Sequence, residues 1–102
     1  MKYSEKLNKS KEVLDSIYSL KDKEELTVTY GTERDGKPRK FRIKCYKNFR
    51  DDGFHYSVWE SIGLGGMNIE KIGRTTMKGY TFDMMSQKTT YTFPLYMMKI
   101  VK

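Results

Sequence analysis

Apolar positions along this chain change period once near its start and then hold a period of two almost to the end. Over residues 4–20, Leu7, Leu14, Ile17 and Tyr18 recur at helical spacing while Lys6, Lys9, Glu12 and Asp15 fall elsewhere. The spacing predicts an amphipathic helix with Ser4 as N-cap and Glu5 acidic in the first turn, ended by the polar run at 21–25. Beyond it, Leu26, Val28 and Tyr30 alternate with Thr27 and Thr29, as in a half-buried strand. A second arm alternates Phe41, Ile43 and Cys45 with Lys40, Arg42, Lys44 and Tyr46. Asp35-Gly36 between the arms is the dipeptide favoured in a two-residue type I′ turn, where both positions need positive φ. A turn there predicts Tyr30–Phe41, Val28–Ile43 and Leu26–Cys45 pairs on the apolar face, with Thr29–Arg42 and Thr27–Lys44 on the other. A one-residue slip would bury Arg42 and Lys44, so the register is expected to be firmly set. Pro38 near the tip marks an edge or a departure from the ladder.

A polar loop at 48–53 leads to a third strand at 54–61, with Tyr56 and Val58 on one face and His55, Ser57 and Trp59 on the other. The Gly-rich stretch at 62–66 is a turn, and 67–74 a fourth strand carrying Met67, Ile69 and Ile72, with a bulge near Lys71. A closing hairpin with its turn at Ser86-Gln87 pairs Phe82 with Tyr91 and Tyr80 with Phe93. Pro94 interrupts that ladder, leaving the tail as a short edge strand or a helical turn. The sum is a single α+β domain, residues 1–102, in which an N-terminal helix buries its stripe on a five- or six-stranded antiparallel sheet. A small half-open β-barrel with a helical lid is the alternative.

Composition adds little to the fold and more to the partner. Alanine is absent while Lys, Tyr, Met and Thr abound, the signature of an AT-rich coding sequence such as that of a low-GC bacterium, its phages or its mobile elements. No apolar run approaches the ~20 residues of a membrane helix, the start lacks a signal-peptide core, and the lone Cys45 gives no reason to invoke secretion. The expected location is therefore the cytoplasm, with no membrane role. The net charge of +7 is segregated: residues 1–25 net zero, 26–50 net +6, 51–70 net −4 and 71–102 net +5. Positive blocks of this kind favour polyanionic partners, although charge also serves solubility.

Candidate chemistry is sparse. Gly63 and Gly65 match part of a dinucleotide fingerprint, but its sixth position is Asn68 and strand rather than helix follows. Cys45 and His55 are the chain's sole thiol and imidazole, and Cys45 sits on the apolar side of its strand. One His and one Cys fall short of a zinc site, and Asp51, Asp52, Glu60, Glu70 and Asp83 are scattered. No catalytic residue, metal ligand or cofactor site is assigned. The remaining signal is a basic stripe with interleaved aromatics: Arg34, Lys37 and Arg39 toward the hairpin tip, Lys40, Arg42, Lys44 and Tyr46 along the strand, then Lys47, Arg50 and Trp59. Such residues neutralise phosphates and stack bases, yet no RNP-type, KH or helix-turn-helix pattern accompanies them. Lys and Arg guarding a sheet edge would look the same.

These features point away from an enzyme. The expectation is a non-enzymatic accessory protein of phage or mobile-element origin, a stoichiometric inhibitor of anti-restriction or anti-CRISPR type. It would dock on a host protein or nucleoprotein complex that handles nucleic acid, using the basic hairpin, because mixed basic and acidic sectors suit a protein surface. The alternative is direct, sequence-independent binding of DNA or RNA. A homodimer through an edge strand at the C-terminal tail is also open.

Overall fold

The computed structural model describes residues 2–30, 39–47, 53–60 and 66–101. Among the described residues one helix, α1 (Tyr3–Tyr18), precedes seven strands: β1 (Glu25–Tyr30), β2 (Arg39–Lys47), β3 (Phe54–Glu60), β4 (Met67–Ile72), β5 (Thr76–Phe82), β6 (Lys88–Pro94) and β7 (Met98–Ile100). A short 3-10 helix, Leu95–Met97, links β6 to β7. All strands join one antiparallel sheet in the order β6-β5-β4-β3-β2-β1-β7. The α+β expectation holds, but the sheet has seven strands rather than five or six. The tail is both of its expected forms in succession, a helical turn and then an edge strand.

The sheet is curled into a half-barrel. Phe93 on β6 meets Tyr30 on β1 and Phe41 on β2 at ring-centroid distances of 6.4 and 6.1 Å, although three strands separate β6 from β2 in the sheet. The concave face gathers Val28, Phe41, Ile43, Val58, Met77 and Phe93, and α1 closes it with Val13 and Ile17. The helix packs on the 3-10 helix and β7, so Leu95 and Met98 complete the core. Its buried line runs through Ser10, Val13 and Ile17, while Tyr18 lies exposed, off the expected stripe. The N-cap is Lys2, without a side-chain cap bond, and Ser4 falls inside the first turn.

Both predicted hairpin registers are corrected. In the first, Val28 pairs with Phe41, Leu26 with Ile43 and Thr27 with Arg42, two residues from the expected alignment. An even shift keeps every side chain on its face, so parity could not detect it. Asp35-Gly36, the expected turn, lies outside the described residues. In the second, Met77 pairs with Phe93, Gly79 with Tyr91 and Tyr80 with Thr90, a shift of three. An odd shift swaps faces: Met77 is buried, while Tyr80 and Phe82 turn to the convex side and Phe82 is exposed.

The cause is the β5–β6 turn. Ser86 N–H bonds the Asp83 carbonyl, Asp83 N–H bonds the Gln87 carbonyl, and Asp83 Oδ1 accepts from the N–H groups of Met85 and Gln87. Ser86 has φ of 60°. This is a three-residue loop, a type I turn followed by a left-handed residue, with Asp83 at its favoured first position. The α1–β1 link uses the same device. Lys23 N–H bonds the Cys45 carbonyl, Cys45 N–H bonds the Glu24 carbonyl, and Lys23 has φ of 70°. That pattern is a bulge whose first residue is left-handed. The bulge expected near Lys71 is present, as a register shift between Ile69 and Lys71.

Candidate interaction surface

Pairing turns the alternation of β2 into a two-dimensional array on the convex face. Lys40 lies opposite Thr29, which lies opposite Lys99 on β7. Arg42 sits between Thr27 and Trp59, Lys44 between Glu25 and Ser57, and Tyr46 beside His55. Neighbouring strands stand ~4.8 Å apart and alternate residues of one strand ~6.7 Å apart, so Lys99, Lys40, Arg42 and Lys44 form a continuous cationic field. Its backing is rigid, because Phe41, Ile43 and Cys45 on the same strand are buried in the core.

The aromatic groups of this face are held flat. Tyr46 and His55 stack with centroids 5.8 Å apart and planes 23° from parallel. Trp59 donates its indole N–H to Ser57 Oγ at 2.9 Å. A Cβ at Gly66 would sit 2.5 Å from Trp59 Cε2 and 2.6 Å from Cδ2, so the indole lies directly over that glycine. Gly66 continues the β3–β4 register opposite Trp59, and only a residue without a side chain leaves room for the ring. Arg42 reaches Glu25 at 3.6 Å with both side chains partly exposed. Such a pair contributes ~0–1 kcal/mol and opens readily for a competing anion.

Five of the ten sequence-predicted contact residues, Lys40, Arg42, Lys44, Tyr46 and Trp59, thus share one face. Arg39 and Lys47 do not: at the two ends of β2 their parity is that of Phe41 and Cys45. The Lys47 N–H is bonded to Asp22 Oδ1. Arg34, Lys37 and Arg50 lie outside the described residues. Lys99 is the addition the sequence reading missed. Its signal was the alternation of Met98, Lys99 and Ile100, but the β1–β7 pairing that brings it to the stripe is non-local.

The thiol–imidazole pair is dismantled by the same geometry. Cys45 is fully buried on the concave side, opposite Tyr56, while His55 faces the convex side. Burial pushes the Cys45 thiol above its ordinary value, outweighing the Tyr56 hydroxyl that bonds it, and burial likewise raises Tyr56. Glu70 is held by Lys88 Nζ at 2.9 Å, which lowers its carboxyl, and Asp83 is spent on its turn. Among the described residues no three His, Cys, Asp or Glu side chains converge on a metal position. Gly63 and Gly65 lie outside the described residues. No helix among those described is long and apolar enough to cross a membrane. A depression of about 240 Å³ opens where β3 and β4 part, lined by Tyr18, Phe54, Tyr56 and Ile69 together with His55, Glu70 and Lys71.

Comparisons with protein-family models, with curated protein sequences and with solved structures find no match for this chain.

Proposed function

We propose that this chain is a non-enzymatic binding protein that docks its convex basic face on a host protein or nucleoprotein that handles nucleic acid, and blocks it stoichiometrically. The observation that carries the reading is the array of Lys40, Arg42, Lys44 and Lys99 on a stiff, core-backed sheet face with Trp59 and Tyr46 laid flat beside them. A preformed face of this kind loses little side-chain freedom on binding, apart from its long cations. Glu25 within the array favours a protein surface with both signs of charge over a uniform phosphate track. The alanine-free, AT-rich composition supports an origin in a phage or mobile element of a low-GC host.

One observation favours a second reading, direct nucleic-acid binding: Trp59 and His55 share the face of Arg42, Lys44 and Tyr46. Trp59 is the sole tryptophan and reports on that face directly. Titration with a single-stranded oligonucleotide at low salt is expected to leave its fluorescence without a saturable change. Saturable quenching that weakens steeply with salt would replace the first reading by the second.

A further inference from the structure

The two edges of the half-barrel differ in kind. The β7 edge is three residues long, carries Lys99 at its centre and has α1 packed against it. The β6 edge is seven residues long, with no bulge against β5 and one charge, Lys88. Residues 88–92 are all exposed. Long, regular, weakly charged edges are the ones that recruit another strand.

The backbone bonding of β6 defines what that edge offers. Leu95 N–H bonds the Thr75 carbonyl at one end of the β5–β6 ladder, and Asp83 N–H bonds the Gln87 carbonyl at the other. Both bonds join partners of the same uninterrupted register. Antiparallel pairs alternate between bonded and non-bonded, so Phe93, Tyr91 and Thr89 turn their N–H and C=O toward β5. Lys88, Thr90 and Thr92 turn theirs outward. Pro94, the next outward position, has no N–H to leave open, which is where proline is tolerated on an edge.

We propose that this edge is a self-association seam, at which a second copy adds its own β6 antiparallel with Thr90 on the two-fold axis. In that register Lys88 faces Thr92 of the second copy, Thr90 faces Thr90, and Thr92 faces Lys88. Every outward N–H and C=O of the three residues is matched without using Pro94, and no like charges stand opposite. Tyr91, half exposed on the monomer, packs beside Thr89 of the second copy. The β5–β6 tips, with Met84 103% and Met85 81% exposed, run toward the Pro94 end of the opposing strand, where Met97 is 50% exposed. The contact is isologous, so it closes at two copies. The blunted β7 edge gives no route to a chain of sheets.

The seam is far smaller than a standard ~1,600 Å² interface, and each copy carries a charge of +7. The dimer is therefore weak, and added salt strengthens it by screening the repulsion. Sedimentation of the full chain up to about 1 mM, the range of weak interfaces, is expected to show a monomer–dimer equilibrium. Thr90→Lys and Thr90→Glu, each placing like charges across the axis, are expected to raise the dissociation constant at least ~10-fold, and mixing the two is expected to restore a one-to-one dimer. Thr90→Pro removes only an outward N–H and is expected to keep the fold, checked by circular dichroism, while losing the dimer. A wild-type monomer throughout that range, or a dimer that ignores all three substitutions, would overturn the proposal.

Discussion

Cys45 shows how far single residues could be read. Its place in the run Phe41, Ile43, Cys45 assigned it to the core, and it is fully buried there. Burial keeps the thiol protonated, and the imidazole that would activate it lies across the sheet. Alkylation of the native chain is expected to be at least ~100-fold slower than that of the urea-unfolded chain, since it must await opening of the core. Rapid native alkylation would restore Cys45 as a candidate nucleophile. The sign of the pH effect follows. Because the folded pKa is raised, the thiol's contribution to stability is complete below its unfolded value near 9.0 and is lost as pH rises through the folded one. Replacement by Val is expected to flatten that alkaline loss. Parity also sorted Lys40, Arg42 and Lys44 correctly from their neighbours. At the ends of the strand Arg39 and Lys47 are basic and adjacent to the stripe, but their alternation places them on the other side.

At the scale of elements, faces were legible and registers were not. A strand's pattern repeats every two residues, so it is blind to the even slip found in the first hairpin. In the second, a turn at Ser86-Gln87 would leave Met84 and Met85 in the strand, yet they form the turn that Asp83 organises. The Asp83 side chain was the available signal. Two links rest on non-glycine residues in the left-handed region, Lys23 and Ser86. That conformation costs an L-residue ~1–2 kcal/mol, partly offset in glycine by its larger unfolded entropy. Ser86→Gly and Lys23→Gly are each expected to stabilise the chain by roughly 0.5–1 kcal/mol. Ser86→Val should destabilise it by more than about 1 kcal/mol. Urea midpoints at unchanged m-value measure all three. Equal effects of Gly and Val would contradict the turn assignment.

At the scale of the whole molecule, the sequence announced one helix and a sheet, with the curl only as the half-open-barrel alternative and the seventh strand only as one of two forms for the tail. Both depend on contacts between distant segments: Phe93 reaching Tyr30 and Phe41, and Met98–Ile100 pairing with β1. Blockwise net charge also proved a blunt guide. The −4 segment contributes Trp59 and His55 to the basic face, while one of its acids, Glu70, is neutralised by Lys88. The central claim is that this face, rather than the charge of the chain, recognises the partner. Three forms of the protein separate the two on a low-GC bacterial lysate: wild type, Arg42→Glu/Lys44→Glu on the convex face, and Lys9→Glu/Lys11→Glu on the exposed side of α1. Both variants change the net charge equally. The account predicts that wild type and the helix variant retain one common protein in equimolar amount, and that the face variant loses it at least ~10-fold. Equal retention by all three, or no common protein retained by wild type, would contradict it.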